Sequence, residues 1–321
     1  MVRAATLAIV LLGACGTDDA SPQVVVRDAA LGGGVPTLLG AHADAVYWSV
    51  SASSGPQLVA GASLRSLPAD GKQLGMATGP IAQVGDHVIY STDASIQRAS
   101  MTSAPAKVAS VVAEALGESA DPDPVLVWTA GAVVSWGNGN ATDSAMLSRI
   151  VRCDHLQITD TSIYVAADGA SERRLLRVDR RTGAVSGLSA SSTHAGSFPG
   201  GEVTGAIYRG RLVGVDDGGA LWLVEETVAG TTSPDRAILL SVPDQGEPAV
   251  LLEHVNGASA FFTRAEAFYW QEGDALLAAP RSGGAASIVH QVTGTVGAID
   301  SGFVYYVEGS AIERFALDGA D

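Results

Sequence analysis

The sequence predicts an all-β fold built from a repeated unit. From residue 24 onward, short β-branched and aromatic runs bounded by Gly, Asp, Ser and Pro replace any sustained helical period. These runs recur in a fixed order, with a turn near residues 44, 86, 131, 161, 210, 266 and 302. The mean spacing of about 43 residues is typical of a four-stranded propeller blade. We therefore predict a single β-propeller of seven blades, with six blades as the alternative.

Each unit has the same internal order. A small apolar segment leads into a turn, and an aromatic strand, an apolar strand carrying Arg and a Gly-containing turn follow. The predicted aromatic strands are 44–48, 86–90, 131–136, 162–165, 210–215, 266–270 and 302–306. Tyr-Trp pairs such as Tyr47-Trp48 and Tyr269-Trp270 recur at the blade period, so we expect them to pack between blades.

Unequal spacing indicates where the units are irregular. The interval from 131 to 161 is short enough for the third unit to lack its outer strand. The longer intervals around the fifth unit predict insertions at 190–201 and 228–235. Residues 106–116 fit either a short helix or a pair of strands. The sequence leaves that choice open.

The two ends of the array complement each other. The seventh unit ends at its third strand, 312–319, and Gln23–Asp28 is a lone strand with no turn partner before it. A propeller removes its exposed sheet edges by closing on itself. We therefore predict that the N-terminal strand becomes the outer strand of the last blade.

The first residues indicate an export signal. Arg3 precedes a run of nine residues, 4–12, that is apolar except for Thr6, and Gly13-Ala14-Cys15 follows. Such a run is too short to span a bilayer, which needs about 20 residues, but it suits the apolar region of a signal peptide. The ending Leu12-Gly13-Ala14-Cys15 resembles the lipobox of bacterial lipoproteins. That resemblance implies cleavage before Cys15 and acylation of its thiol and new amino group; the alternative is an ordinary signal peptide with an incidental cysteine.

This resemblance sets the predicted organisation of the chain. Residues 1–14 are the lipoprotein signal peptide, 15–22 a lipidated tether and 23–321 the propeller domain. The expected location is the bacterial cell envelope, facing the periplasm or the cell exterior, with the membrane contacted through lipid on Cys15. Two or more acyl chains are needed for stable attachment.

Charge and cysteine content exclude several classes of protein. The chain has 34 Asp and Glu against 19 Lys and Arg, a formal net charge of −15, so a nucleic-acid partner is not expected. Only two cysteines occur, which excludes a disulfide framework or a multi-cysteine metal site. If Cys15 is acylated, Cys153 has no partner. We expect Cys153 to be a small buried hydrophobe or a loop thiol.

Some units resemble a known repeat. Tyr47-Trp48 followed by Leu64, Leu67 and Asp70-Gly71 is similar to the YWTD repeat of extracellular receptor propellers, and so are Tyr269-Trp270 and 312–319. Ser49-Val50 and Gln271-Glu272 stand where that family has Thr-Asp, so its inter-blade Asp hydrogen bonds are not implied here. That family has six blades. The resemblance concerns architecture, and fold does not transfer function.

Motifs for catalysis and metal binding are missing from the sequence. There is no G-x-S-x-G or H-E-x-x-H, and no acidic cluster has calcium-loop spacing. We interpret the acidic clusters as solvated turns: Asp18-Asp19, Asp121-Pro122-Asp123 and Asp216-Asp217-Gly218. The six histidines lie singly in different units: His42, His87, His155, His194, His254 and His290.

The predicted inner strands also argue against an enzyme. Lactonase-type propellers place Glu, Asn and Asp at the inner ends of their strands around a central metal. The inner strands predicted here are apolar and lack carboxylates: 38–41, 81–84, 125–128, 156–159 and 296–299. We therefore expect no catalytic residue, metal or cofactor site, with Cys15 as the only assigned site residue.

Two functional hypotheses follow. The first is a monomeric, lipid-anchored binding module whose loop-bearing face contacts a protein, peptide or glycan. The second is a propeller enzyme of the lactonase or lyase type, with its site at the mouth of the central channel. Carboxylates converging at that mouth would favour the enzyme, whereas an uncharged channel with an aromatic rim would favour the binding module. A structural envelope protein without a ligand is a third possibility.

Overall fold

The computed structural model describes residues 22–31, 33–51, 55–119, 124–138, 142–216, 218–231, 234, 236–255, 258 and 260–317. These residues form seven four-stranded antiparallel sheets arranged as a β-propeller. The predicted all-β, seven-bladed fold is confirmed, and the six-bladed alternative is wrong. A short 3-10 helix, Ser191–Ser197, interrupts the strands.

The first three blades follow the chain from the inner strand outward. Blade 1 consists of β2 (Val35–His42), β3 (Ala45–Ser51), β4 (Gln57–Ser63) and β5 (Lys72–Ala77). Blade 2 consists of β6 (Ile81–Val84), β7 (His87–Ser91), β8 (Ile96–Ser100) and β9 (Ala106–Ala109). Blade 3 consists of β10 (Ala115–Glu118), β11 (Leu126–Ala130), β12 (Val133–Gly137) and β13 (Thr142–Met146).

The next three blades repeat this order. Blade 4 consists of β14 (Ile150–Ile158), β15 (Ser162–Gly169), β16 (Arg173–Asp179) and β17 (Val185–Ala190). Blade 5 consists of β18 (Ile207–Asp216), β19 (Gly219–Thr227), β20 (Arg236–Pro243) and β21 (Ala249–Glu253). Blade 6 consists of β22 (Ala260–Thr263), β23 (Ala267–Glu272), β24 (Ala275–Pro280) and β25 (Ser287–Gln291).

Blade 7 is assembled from both ends of the described chain. Its strands are β26 (Thr295–Ile299), β27 (Phe303–Glu308), β28 (Ala311–Ala316) and, outermost, β1 (Gln23–Val26). β1 pairs antiparallel with β28, Gln23 opposite Arg314, and the Arg314 guanidinium donates to Gln23 Oε1 at 2.8 and 3.0 Å. The predicted closure by the N-terminal strand is therefore confirmed.

The propeller has two faces that differ in which strand ends they carry. The inner strands contact their neighbours in a ring that closes from β26 back to β2. We name the face on which inner strands begin, for example at Val35, the front face. The face on which inner strands end and turn into the second strands, for example at Asp44, is the back face. Both names follow from the up-and-down order of each sheet.

Alternating side chains of one strand join a blade to both of its neighbours. Tyr47 packs with the buried side chains of blade 2, and its hydroxyl donates to the Asp86 carbonyl. Trp48 points to the opposite side of the sheet, packs against Tyr305 of blade 7 and donates from Nε1 to the Ala29 carbonyl at 2.8 Å. Both side chains are almost fully buried, so the expectation that Tyr-Trp pairs pack between blades is confirmed for this pair.

The third blade differs from its predicted order. Residues 126–130 form the second strand and 133–137 the third, so the interpretation of 125–128 as an inner strand is wrong. The outer strand is present as β13. Residues 106–116 are a strand pair, the outer strand of blade 2 and the start of the inner strand of blade 3. Trp128 and Trp136 lie on adjacent strands, and this doubling of the aromatic signal displaced the predicted order by one strand.

The fifth blade shows a similar displacement. Residues 210–215, predicted as the second strand, belong to the inner strand β18, and β19 is the second strand. The inserted segments were predicted correctly. The first contains the helix Ser191–Ser197, between β17 and β18, and the second joins β19 to β20.

Candidate functional site

A groove opens on the front face between blades 6, 7 and 1. Its volume is about 950 Å³. The starts of three inner strands and the turns between them form it, and its lining includes Val35, Thr37, Phe261, Phe262, Asp274 and Thr295. The groove therefore lies at a mouth of the central channel, the place that distinguishes the two functional hypotheses.

The buried Gln271 side chain fixes the groove floor. Its amide nitrogen donates to the carbonyls of Gly273 and Gly294, at 3.0 and 2.7 Å, and its oxygen accepts from the Val296 amide at 2.8 Å. Both of its amide hydrogens and its oxygen are bonded to backbone that lines the groove, so this part of the front face is preformed.

Close backbone approach also shapes the groove. A Cβ at Gly294 would lie 2.0 Å from the Val307 carbonyl oxygen, and one at Gly297 would lie 2.3 Å from the Leu38 Cβ. Only glycine fits at these two positions. The contact of β26 with β2 is therefore tight, and the floor is made largely of main chain.

The groove combines apolar side chains with hydroxyls, one amide and one carboxylate. Val35 is 68% exposed, and Phe261 and Phe262 are partly exposed. Asp274 is the carboxylate in the lining, whose remaining polar side chains are those of Gln271, Thr37, Thr293 and Thr295. This composition suits burial of an apolar or amphipathic ligand more than proton transfer.

Exposed apolar side chains extend across the rest of the front face. Five large ones lie at or just before the starts of inner strands: Val35, Val112, Met146, Val151 and Ile207. The topology brings all five to this face. Exposed apolar groups concentrated on one face are typical of interaction sites.

On the back face, carboxylates recur at one kind of turn. In six blades the turn from the first to the second strand carries or borders a carboxylate: Asp44, Asp86, Asp160, Asp216, Glu266 and Asp300. Asp300 accepts from the amides of Gly302 and Phe303, at 2.9 and 2.8 Å, and from the Tyr305 hydroxyl at 2.8 Å. Asp216 accepts from the Gly218 amide at 3.2 Å. These hydrogen bonds stabilise the turns in which Asp300 and Asp216 lie.

A second cavity, of about 700 Å³, lies on the back face between blades 3 and 4. Asp179 in its wall accepts from the amides of Arg181 and Thr182, at 3.0 and 2.8 Å, and hydrogen bonds from Thr182 lower the pKa of Asp179. Trp136 Nε1 donates to the Arg180 carbonyl at 3.1 Å. Within the described ranges, no group of three or more His, Cys, Asp or Glu is arranged to hold a metal.

Sequence reasoning missed one buried ionic cluster. Glu118, at the back-face end of β10, has a fully buried side chain, and its Oε2 lies 2.5 Å from His87 Nε2. Arg98 contacts the other carboxylate oxygen, and His87 Nδ1 lies 3.2 Å from Asp86. Residues from blades 2 and 3 thus share one buried charge. The strand that contains Glu118 was not among the predicted inner strands, so its carboxylate was not predicted to lie at the end of one.

A Ser–His contact was also missed. Ser189, at the end of β17, is hydrogen-bonded to Nε2 of His194 in the short helix. Burial lowers the pKa of the His194 imidazole, which favours its neutral form. Among the described residues no carboxylate contacts His194, since the neighbouring Glu172 accepts instead from Ser192 at 2.6 Å. The pair lacks the third group of a catalytic triad.

The other residues singled out from the sequence lie apart from one another. Cys153 is buried, and burial raises the pKa of its thiol to about 12, so it is a core side chain. Cys15, Asp18, Asp19, Asp121, Asp123 and Asp217 lie outside the described residues. His290 stacks on Phe315 with ring centroids 4.0 Å apart, and His254 is exposed. Apart from the contacts described above, the structure does not bring the histidines into a shared site.

The fold defines the class of this protein, a seven-bladed β-propeller, and the groove opens on its front face. No protein-family model matches the chain, and no curated protein matches it in sequence. Similarity to solved structures is confined to the fold.

Three solved structures show that similarity. A protein from Lactobacillus plantarum aligns with 87% of this chain and 88% of its own, at 15% identity and TM-score 0.54. A structure described as the extracellular domain of a one component system from B. thetaiotaomicron aligns with 92% of this chain and 42% of its own, at 12% identity and TM-score 0.57. The AfRom2 CNH domain aligns with 94% of this chain and 96% of its own, at 10% identity and TM-score 0.52.

Proposed function

We propose that this chain is a lipid-anchored cell-envelope β-propeller that binds a protein, peptide or glycan on its front face. The observation that carries the proposal is the groove of about 950 Å³, with Val35, Phe261 and Phe262 in its lining. A preformed apolar pocket with a few polar groups is the usual form of a binding site. The exposed apolar side chains around it extend the contact area for a larger partner.

The anchoring half of the proposal rests on the lipobox-like sequence before Cys15 and on where the chain enters the propeller. β1 runs from the back face to the front face, because it is antiparallel to β28. The described chain therefore enters the propeller at its back face, where β1 begins at Gln23. Lipid on Cys15 would leave the front face free of the attachment point. Within the described residues, no helix has the length and apolar content of a membrane span.

An envelope location also agrees with one structural neighbour. The B. thetaiotaomicron structure is described as an extracellular domain, and its fold is similar to this one. We extend that location to this chain as part of the proposal.

Photo-crosslinking in cells tests the binding site. A benzophenone amino acid replaces Val35 in the groove or, as the matched control, Ile288, which is 61% exposed on the outer strand β25. We expect a discrete crosslinked product from position 35 and none from position 288. Equal products from both positions, or none from position 35, would contradict the proposal.

Lipidation is tested separately. Cells producing the full chain are labelled with radioactive palmitate, and the Cys15→Ser variant is compared with the wild type. We expect the variant to lose the label and to leave the membrane fraction. Continued labelling of the variant would exclude Cys15 as the lipidated residue.

The alternative, a propeller enzyme of the lactonase or lyase type, is favoured by the Glu118, His87 and Arg98 cluster. A buried carboxylate beside an imidazole could serve acid–base chemistry at the back end of an inner strand. If this is the function, the purified protein turns over a lactone or a uronate polymer, and Glu118→Gln loses that activity at unchanged fold. Inactivity of the wild type on both substrates favours the binding module.

A further inference from the structure

The two longest inner strands of the propeller, β14 and β18, belong to neighbouring blades. β14 and β15 have nine and eight residues, and β18 and β19 have ten and nine, whereas β6, β10 and β22 have four each. Pairing continues to Ile150 opposite Gly169 and to Ile207 opposite Thr227. We name the front-face ends of these two hairpins, residues 149–152 and 207–209, the ridge.

The ridge carries three exposed guanidinium groups without a partner. Arg149, Arg152 and Arg209 make no ion pair or side-chain hydrogen bond with any part of the chain that the structure describes. The adjacent inner strands β14 and β18 contact each other, which places the three groups on one surface. This surplus of cations stands out in a chain with 34 acidic and 19 basic side chains.

The carboxylates on the same hairpins are already paired with other arginines. Arg173 bridges Asp154 and Asp168, at 2.6 and 3.0 Å. Arg236 holds Glu226 at 2.5 Å, and Arg211 lies 3.7 Å from Glu225. Glu114 and Glu202 are exposed in the connections before β10 and β18, and four more exposed acids lie at front-face turns of other blades: Asp93, Glu272, Asp274 and Glu308. The committed pairs leave the ridge arginines free to bind an external anion.

One of the three arginines is held in a strained conformation. Arg149 has a φ of +63°, in the left-handed region that glycine or asparagine occupies with less strain. A charged residue thus occupies the tight turn before β14 at a position where glycine would be less strained. Such outliers are found at functional positions more often than elsewhere.

Apolar neighbours indicate that the anion belongs to a protein. Val151, Ile207 and Met146 are 69%, 68% and 76% exposed beside the arginines, and Arg and Met are enriched at protein interfaces. A sugar ligand would need a flat aromatic platform. The aromatic side chain on this part of β18, Tyr208, is committed, since its hydroxyl donates to Glu226 at 2.7 Å and its ring packs on Phe198.

We propose that the ridge binds an acidic peptide segment of a partner protein, with Arg149, Arg152 and Arg209 pairing with carboxylates and Val151 and Ile207 contacting aliphatic side chains. This inference rests on the proposed function, because it names the chemical class of the front-face partner. Charge pairs at such a surface contribute specificity and association rate as well as affinity.

Fluorescence anisotropy tests the inference with the full chain purified in detergent. The probe is a fluorescein-labelled peptide of repeated Glu-Glu-Leu, and the control peptide has Gln in place of Glu. We expect the acidic peptide alone to bind, with an affinity that falls as salt is raised. Combined substitution of Arg149, Arg152 and Arg209 by Glu should weaken binding by about thirty-fold or more. A matched triple variant on the back face, at Arg65, Lys107 and Arg181, should change it less than about three-fold.

Each of the following results would contradict the inference. Equal loss in both triple variants would show a general charge effect, and tighter binding of a polygalacturonate chain than of the peptide would indicate a glycan ligand. Self-association that disappears in the ridge variant would indicate a second copy as the partner. If the peptide fails to bind while position 35 still crosslinks in cells, the ridge inference fails and the proposed function stands. If neither occurs, both fail.

Discussion

The front and back faces of the propeller are made by the same strands, yet their polar and apolar groups are used differently. On the back face, Asp300 and Asp216 are occupied in turns, and Glu118 is held by its neighbours across a blade interface. On the front face, Val35 and Ile207 are exposed, and Arg152 is unpaired among the described residues. The difference separates side chains that build the fold from side chains available to a partner. It also predicts which substitutions affect stability and which affect only binding.

The largest effect should come from breaking the buried charge on the back face. Arg98→Ala leaves Glu118 buried beside His87 alone, and we expect a loss of about 3 to 5 kcal/mol in the free energy of unfolding. Urea denaturation measures it. Arg65→Ala is the control, because the Arg65–Asp44 pair is exposed on the same face and should cost less than about 1 kcal/mol. Similar losses from both variants would refute the distinction between buried and exposed pairs.

A smaller loss is expected from a back-face turn. Asp300→Ala removes two acceptors for backbone amides and one for the Tyr305 hydroxyl, so about 1 to 2 kcal/mol should be lost. Asp160→Ala is the control, since Asp160 is exposed in the equivalent turn of blade 4. Urea unfolding of the two variants should therefore differ. An unchanged midpoint for Asp300→Ala would mean that these hydrogen bonds do not stabilise the turn.

Acid should weaken the front-face hairpin of blade 4. Burial acts to raise the pKa of Asp154, but hydrogen bonds and charge from His155 and Arg173 outweigh it and hold that pKa well below its ordinary value. A lowered folded-state pKa stabilises the fold above the unfolded-state value, near pH 4, and this contribution disappears as pH falls further. Stability measured between pH 5 and pH 2.5 should fall more steeply for the wild type than for Asp154→Asn. If the stability of the wild type and of Asp154→Asn falls in parallel with pH, the lowered pKa assigned to Asp154 is wrong.

These outcomes bear on how far the sequence alone predicts the molecule. Blade number and closure followed from the spacing of the turns and from the unpaired strand at Gln23, because both are local patterns with a fixed geometric consequence. The order within blade 3 did not follow, because Trp128 and Trp136 repeat the aromatic signal on adjacent strands. That error moved β10 out of the predicted inner ring and hid Glu118.

The candidate site was predictable only in outline. An uncharged channel mouth with an aromatic rim was expected for a binding module; the groove has Phe261 and Phe262 in its lining, but it also has the carboxylate of Asp274. The position of these two side chains in the groove depends on the contact between blades 6, 7 and 1. That contact joins residues that are far apart in the sequence, so local patterns do not predict it. The free arginines could not be identified either, since pairing of Asp154 and Asp168 with Arg173 rather than with Arg152 is a property of side-chain geometry.

The smallest stability effect, and the most informative one for the comparison, should come from the exposed apolar groups of the front face. Val35→Ser and Ile207→Ser should each change the free energy of unfolding by less than about 0.5 kcal/mol, because both side chains are 68% exposed and leave no cavity. Val46→Ser, in the fully buried core of blade 1, is the matched control and should cost several times more. If the front-face variants are as destabilising as the core variant, these side chains maintain the fold. If they are neutral, the sequence retains exposed apolar groups that stability does not require, which is the condition expected of a surface kept for a partner.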